Sequence, residues 1–243
     1  LLLALAVAAS AQPVFDYVNA PDGAFKWEVV SRTWRTSGGV ATRLQMISQV
    51  WHGTTWTHRM LLFEPPGMQY PATAVMLIDY GVPKDTNLGL VGMVADGIKA
   101  PVVVLGDIPN QPLFENLKED ALVAYTFQNA LQSRDFTWPL LYPMAKAAVR
   151  AMDTIEQYTA QEWETPVTSF YVTGASKRGW TTWFTGVVAP ERLKGIAPMV
   201  YDNLNLPAQM RLHKRAWGQY SEQIDDYTVL SLPDLIATEE GAE

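Results

Sequence analysis

The segment 170–180 contains the residues whose types and order come closest to a reactive site. It reads Phe-Tyr-Val-Thr-Gly-Ala-Ser-Lys-Arg-Gly-Trp, an apolar run that ends at Gly174 and is followed by Ser176 and a helical stretch. A serine in a sharp strand-to-helix turn presents its hydroxyl outward, and the N-terminus of the next helix stabilises an alkoxide or oxyanion. The pattern predicts Ser176 as a nucleophile, with the main-chain N–H of Lys177 as one oxyanion donor.

The glycines around this serine depart from the usual Gly-x-Ser-x-Gly order. Arg178 stands where the second glycine is expected, and Gly179 follows one position later. Glycines flank such a serine because the turn is strained and the backbones approach closely. An ordinary turn in which Ser176 caps the helix is the alternative interpretation. The cations Lys177 and Arg178 fit either a site for an anionic substrate group or a salt-bridged first turn of the helix.

A nucleophilic serine needs a base and a group that orients the base. Of the three histidines, His52 and His58 precede the serine and His213 follows it within a helical stretch. His213 is a weak candidate, because such a base normally lies in a loop after the last strand. Asp202 directly follows an apolar run and is the candidate acid. We expect the histidine of the triad C-terminal to Glu243.

Other polar residues also follow apolar runs, where the sites of α/β proteins assemble. Tyr80 and Gly81 come after the run 73–78, and we expect the second oxyanion N–H from this turn. Asp107, Asn110 and Gln111 follow the run 101–105 and are expected to line the same cleft.

The chain around these residues is typical of an antiparallel entry followed by alternating strands and helices. Residues 25–63 are rich in aromatic and β-branched residues and predict a three-stranded meander. Short, wholly apolar runs then alternate with helical stretches, as in a parallel sheet covered on both faces. The runs are 73–78, 101–105, 167–172 and 196–200, and the clearest helices span 120–132 and 143–161. We predict one domain, residues 12–243, of the α/β class with a mostly parallel sheet.

Composition argues against several functions. The 243 residues are 48% hydrophobic and 11% aromatic, which excludes a disordered or fibrous chain. A net charge of −7 argues against nucleic acid or an anionic membrane as partner. The absence of cysteine removes disulfides, thiolate zinc sites and cysteine nucleophiles. Because His52 and His58 have no third ligand nearby in the sequence, neither a metal nor a cofactor is predicted.

The strand-to-helix turn around Ser176, here called the elbow, also resembles a known sequence signature. Residues 174–183, Gly-Ala-Ser-Lys-Arg-Gly-Trp-Thr-Thr-Trp, resemble the signature of the PhoPQ-activated pathogenicity-related protein family. The resemblance extends from Trp27 to Tyr227 and includes similar blocks at 108–112, 119–126, 143–153 and 198–205. It implies an exported, α/β-hydrolase-like protein, and some relatives are secreted proteins that restrain cell proliferation. The family's glycine-rich turn after the first parallel strand is replaced here by Asp-Tyr-Gly-Val-Pro at 79–83.

The elbow is similar to that of glucuronoyl esterases as well. There a basic residue follows the serine and helps to hold the oxyanion. The resemblance implies that role for Lys177.

The two ends of the chain carry further expectations. Residues 1–11 are an apolar run followed by Ala-Ala-Ser-Ala, which is typical of a signal peptide remnant with its cleavage site, and the run is too short to span a membrane. We therefore expect a secreted or periplasmic protein without a membrane span. Residues 221–243 lack the further strands that an α/β-hydrolase-like sheet needs, so we expect the domain to be truncated at its C-terminus.

These observations predict a secreted serine hydrolase that acts on an ester or amide. Its substrate would be a small molecule, a glycan or a peptide. The alternative is a non-enzymatic secreted regulator on the same scaffold, with a cell-surface receptor as its partner.

Overall fold

Seven strands in the described part of the chain form one sheet. The structure is a computed structural model that describes residues 13–83, 85–201 and 204–237. The strands are β1 (Lys26–Trp34), β2 (Val40–Trp51), β3 (Thr54–Glu64), β4 (Thr73–Ile78), β5 (Val102–Leu105), β6 (Ser169–Ala175) and β7 (Leu193–Met199).

Helices cover this sheet and continue beyond its last strand. They are α1 (Pro13–Asn19), α2 (Asp85–Ile98), α3 (Glu119–Ser133), α4 (Leu141–Glu162), α5 (Lys177–Val188), α6 (Leu206–Trp217), α7 (Asp225–Thr228) and α8 (Leu232–Ile236). Single 3-10 turns lie at Pro190–Arg192 and Glu222–Ile224. The helices expected at 120–132 and 143–161 are α3 and α4.

The strand order is β1-β2-β3-β5-β4-β6-β7. β1, β2, β3 and β5 pair antiparallel in that order, whereas β5, β4, β6 and β7 pair parallel. The predicted fold class, an antiparallel meander leading into an α/β sheet, is confirmed. The sheet as a whole is mixed, because its antiparallel and parallel pairs are equal in number.

The core lies between the sheet and the buried face of α4. Met144, Ala148, Met152 and Ile155, spaced four, four and three residues apart, are fully buried against it. This spacing places their side chains on one face of the helix. Burying each large apolar side chain contributes about 1.5–3 kcal/mol, so this face fixes α4 on the sheet.

The parallel strands bring their carboxyl ends to one edge of the sheet. β4 is flanked by β5 on one side and β6 on the other, so the chain order reverses at β4. Ile78, the last residue of β4, lies beside Gly174 of β6. In open α/β sheets, ligands bind outside the carboxyl ends of the strands at such a reversal. The turn after β6, which contains Ser176, lies there.

Candidate functional site

Ser176 lies in a sharp turn between β6, which ends at Ala175, and α5, which begins at Lys177. Its φ of +57° and ψ of −124° are sparsely populated for any residue other than glycine and cost about 1–3 kcal/mol. The Ser176 N–H donates to the Met199 carbonyl at 3.0 Å, and the Ser176 carbonyl accepts from the Trp180 N–H at 3.0 Å. The hydroxyl makes no hydrogen bond that caps α5. The main chain is therefore held by its neighbours while the side chain is left out of the helix cap.

The two glycines of the motif are required by close backbone contacts. A Cβ at Gly174 would lie 2.7 Å from the carbonyl oxygen of Arg178, and one at Gly179 would lie 2.5 Å from the carbonyl oxygen of Met199. Both distances are shorter than a carbon atom tolerates. The second glycine stands at 179 because that position, rather than 178, faces the end of β7. This explains the departure from the usual spacing.

The side chain of Ser176 faces a cavity of about 360 Å³. The walls come from α3, α5, α6, α8 and the segment that precedes α6. Most of its lining side chains are apolar or aromatic, among them Phe127, Trp180, Met210 and Leu232. Ser176 is therefore a polar group at the border of a largely apolar space.

The charged groups at this cavity neutralise one another. The Lys177 ammonium donates to Asp120 Oδ2 and lies 3.6 Å from Glu119 Oε2. The Tyr227 hydroxyl donates to Asp120 Oδ1 at 2.9 Å. Burial, and after it the negative charge of Asp120, raises the pKa of the Tyr227 phenol, which stays protonated and donates. The Lys177 side chain is thus directed to α3, and its main-chain N–H stays the expected oxyanion donor.

Arg178 is held in an ion pair at the start of α3. Its Nη1 donates to both carboxylate oxygens of Glu119, at 3.0 and 2.9 Å, and its guanidinium lies 5.2 Å from the ring centre of Tyr80. Gln111 donates to Glu119 Oε1 at 2.7 Å and accepts from the Glu119 N–H at 2.9 Å. Burial opposes the charge of Glu119, but Arg178 and Gln111 outweigh burial and hold the pKa of this carboxyl below its usual value. Arg178 thus fits the salt-bridged first turn of the helix.

The turn after β4 uses its polar groups within the loop. The Tyr80 N–H donates to Asp79 Oδ1 at 2.7 Å, and the Gly81 carbonyl accepts from the Asp107 N–H at 3.2 Å. The ring of Tyr80 is 60% exposed. For Tyr80 to serve as the second oxyanion donor, its N–H must first leave Asp79. Neither Tyr80 nor Gly81 is among the residues that line the Ser176 cavity.

Asn110 and Asp107 bind the main chain and side chains of β3. Asn110 Nδ2 donates to the Thr57 carbonyl at 2.6 Å, and its Oδ1 accepts from the Thr57 N–H at 3.3 Å. Asp107 accepts from the Arg59 guanidinium at 2.9 and 2.6 Å. These side chains line a different depression, of about 450 Å³, together with Gln111. The structure therefore places Asn110 outside the cavity that contains Ser176.

Two of the histidines lie in surroundings that leave them no role at Ser176. His58 is fully buried, with Nε2 2.9 Å from Ser48 Oγ and Nδ1 3.3 Å from the Gly106 carbonyl. Burial lowers the pKa of His58 to about 4, so the imidazole is neutral. His52 stacks on Trp138, with the ring centres 3.9 Å apart. His58 therefore lies inside the core rather than at the surface of the sheet, because Ser48 and Gly106 satisfy its ring.

His213 lies on α6, whose Leu206 and Met210 line the Ser176 cavity. Its ring contacts Trp217 at 5.6 Å between centres, and its Nδ1 is buried without a partner among the described residues. The ring is not part of the cavity lining. No histidine in residues 13–83, 85–201 and 204–237 thus hydrogen-bonds to Ser176.

The candidate acid Asp202 lies outside the described residues, but its neighbour Tyr201 is part of the site. The Tyr201 ring stacks on Trp180 with centres 4.7 Å apart, and its carbonyl accepts from the Trp183 indole N–H at 3.1 Å. Burial raises the pKa of the Tyr201 phenol. Sequence reasoning missed this stack, although Tyr201 lies only two residues after the end of β7.

Sequence reasoning also missed Asp120 and Tyr227 at the site. Asp120 carries a visible signal, because it opens a predicted helix, but the pattern there indicates only a helix cap. Tyr227 belongs to a segment without clear periodicity. Among the described side chains, no group of three or more His, Asp or Glu residues is arranged to bind a metal ion. No helix in this part of the chain is long and apolar enough to cross a membrane.

The family is decided by comparison with known sequences. The sequence profile of the PhoPQ-activated pathogenicity-related proteins matches residues 14–243. The chain belongs to the PhoPQ-activated pathogenicity-related protein family. Autocrine proliferation repressor protein A from Dictyostelium discoideum is 32% identical over 255 residues, which cover 97% of this chain and 50% of that protein. The chain spans about half the length of this curated relative.

Solved structures show which fold this PhoPQ-related chain has. A glucuronoyl esterase from Solibacter usitatus superposes with a TM-score of 0.51 at 12% identity, covering 89% of this chain and 65% of that one. Acetyl xylan esterase 1 from Thermoanaerobacterium sp. superposes with a TM-score of 0.50 at 14% identity, covering 89% and 69%. Both likenesses confirm the α/β-hydrolase-like fold.

Proposed function

We propose that this protein is a serine hydrolase that takes the acyl group of an ester or amide onto Ser176 and passes it to water. The observation that carries the proposal is the strained turn at Ser176, which holds the residue at a strand-to-helix elbow facing a cavity. In an α/β-hydrolase-like sheet, this is the position of the nucleophile. The esterase neighbours support a hydrolase scaffold.

The proposed reaction has two steps. Ser176 Oγ bonds to the carbonyl carbon, the bond from that carbon to the leaving oxygen or nitrogen breaks, and the hydroxyl proton passes through a base to the leaving group. Water then bonds to the acyl carbon, the bond from that carbon to Ser176 Oγ breaks, a proton of the water returns the serine to a hydroxyl, and the carboxylic acid leaves. The Lys177 N–H and the positive end of α5 stabilise the oxyanion, and one such donor contributes about 2.7–4 kcal/mol. Gly81 is the proposed second donor.

The acid and the base of the proposed reaction are assigned from their positions in the sequence. Asp202 directly follows the segment that ends β7, and we propose it as the acid. The described histidines do not contact Ser176, so a histidine C-terminal to Glu243 stays a prediction. His213 is the alternative base, because it lies one helical turn from Met210 in the cavity wall.

A non-enzymatic secreted regulator is the second proposal. It is favoured by the name of the curated relative, a proliferation repressor, and by the lack of a hydrogen bond between Ser176 and any described histidine. A cell-surface receptor would then be the partner. Secretion or periplasmic export rests on residues 1–11, which lie outside the described residues.

A fluorophosphonate probe separates the two proposals. We expect the full-length protein to be labelled at Ser176, with the adduct located by mass spectrometry. Ser176→Ala should abolish labelling, whereas Ser133→Ala, which removes an exposed serine from the last turn of α3, should leave it unchanged. Circular dichroism checks that both variants fold. Absence of labelling from the folded wild-type protein would overturn the hydrolase proposal and favour the regulator.

A further inference from the structure

The Ser176 cavity restricts the substrate class, and this inference rests on the proposed function. Part of the cavity wall comes from α3, α6 and α8, which are far apart in the sequence. Their side chains there are apolar, namely Phe127, Leu206, Met210, Leu232 and Ile236. Met210 and Leu232 are 7% and 3% exposed, so they form a packed wall rather than a loose surface.

The two charged groups that line the cavity, Lys177 and Asp120, are paired with each other, whereas the buried Tyr201 hydroxyl has no partner among the described residues. Asp120 accepts from both Lys177 and Tyr227, so its carboxylate and the ammonium form a neutral pair. An anionic substrate group would have to displace Asp120 from Lys177, and a cationic one would have to displace Lys177 from Asp120. Breaking a partly buried ion pair leaves one charge without its partner, which is costly. The cavity therefore disfavours charged substrates.

The volume sets the size of the group that fits. A dry, apolar cavity of about 150 Å³ binds one benzene ring. The Ser176 cavity, at about 360 Å³, is more than twice as large. It thus has room for about a dozen non-hydrogen atoms, which is far more than an acetyl group needs.

We propose that this cavity binds the acyl half of the substrate and that this half is an uncharged, apolar chain or aryl group of about six to ten carbons. The acyl carbonyl carbon lies at Ser176, and the chain extends along Phe127 and Trp180 towards Met210. The acetyl and glucuronoyl groups named for the two esterase neighbours are smaller or more polar than this cavity requires.

Binding to the Ser176→Ala protein tests the proposal without any catalysis. The fluorescent, uncharged probe N-phenyl-1-naphthylamine would be displaced by methyl esters of acetate, butanoate, hexanoate and octanoate. Since each buried methylene strengthens binding by about fourfold, octanoate should compete far better than acetate. Methyl glucuronate should not compete. Equal competition by all chain lengths, or stronger competition by glucuronate, would refute the proposal.

A variant of the wall locates the bound chain. Met210→Trp should weaken competition by octanoate by at least about tenfold and spare butanoate, because the larger ring takes up cavity space that the longer chain needs. Met93→Trp is the matched control, since Met93 is 64% exposed on α2. If Met210→Trp does not fold, the chain-length series on Ser176→Ala decides the matter alone. If both variants behave alike, the chain lies elsewhere and the proposal fails.

The outcomes for the two proposals can be told apart. Chain-length-dependent displacement without fluorophosphonate labelling would support an apolar binding site and remove the hydrolase. Labelling at Ser176 together with equal competition by all methyl esters would support the hydrolase and refute the proposal that the cavity binds an apolar acyl chain.

Discussion

Replacing Gly179 by alanine tests the packing that holds the elbow. The new methyl group would lie 2.5 Å from the Met199 carbonyl oxygen and 3.1 Å from the Gly174 carbonyl oxygen. Both neighbours are backbone atoms, so α5 or β7 must move. Such overpacking costs about 1–3 kcal/mol, and alanine regains about 1 kcal/mol in helix propensity. We expect the free energy of unfolding to fall by up to about 2 kcal/mol.

Gly186 and Gly97 are matched controls for this substitution. A Cβ at Gly186 of α5 would meet Ile196 Cδ1 at 2.9 Å and Cγ2 at 3.3 Å, which are side-chain atoms that can shift, rather than backbone. At Gly97 of α2 a Cβ meets nothing within 4 Å. Gly186→Ala should therefore be close to neutral, and Gly97→Ala should stabilise by about 0.5–1 kcal/mol.

Urea unfolding followed by circular dichroism measures all three variants. The Gly179→Ala protein should also react more slowly with the fluorophosphonate, because a shift of α5 moves Ser176. If Gly179→Ala is as stable as Gly186→Ala, α5 does not press on the end of β7, and the explanation of the glycine spacing is refuted.

Three further predictions follow from the charged and histidine groups. Glu119→Gln should remove about 1 kcal/mol of stability at pH 7. Because the folded pKa of Glu119 lies below the unfolded one, urea unfolding should show this difference shrinking as the pH falls below about 4.5. His58 has a folded pKa of about 4 against 6.5, so the unfolded chain takes up the proton and wild-type stability should fall by about 3 kcal/mol between pH 7 and 4. His58→Asn should flatten this pH dependence in the same urea titration, and a wild-type curve that is already flat would contradict the burial argument. The 243-residue chain by itself should show no Ser176-dependent turnover of p-nitrophenyl esters, because no described histidine hydrogen-bonds to Ser176. Robust turnover that is abolished by Ser176→Ala would contradict this expectation.

The elbow could be predicted from the sequence because its residues are neighbours in the chain. An apolar run, two glycines and a serine lie within a few residues, and their order dictates the turn. The meander and the apolar strands could be predicted for the same reason, since the hydrophobic pattern of consecutive residues indicates a strand and its burial. α2 was missed, because three glycines weaken its helical pattern.

The side chains that contact the site residues could not be predicted from the sequence, because they are far from them along the chain and only the fold brings them together. Lys177 meets Asp120 57 residues away, and Asp120 meets Tyr227 107 residues away. No local pattern shows that the ammonium is neutralised there. His58 is similar, since its contacts with Ser48 of β2 and with Gly106, which follows β5, explain how an imidazole is satisfied in the core.

Ser176 and the apolar wall of its cavity belong to different parts of the fold. Ser176 is fixed at the end of β6, where its N–H donates to the Met199 carbonyl of β7. Met210, Leu232 and Ile236 belong to helices that follow the last strand, outside the sheet. Substitutions in those helices can therefore alter which molecule is accepted while the reacting group stays in place, so relatives can diverge in ligand choice without rebuilding the elbow.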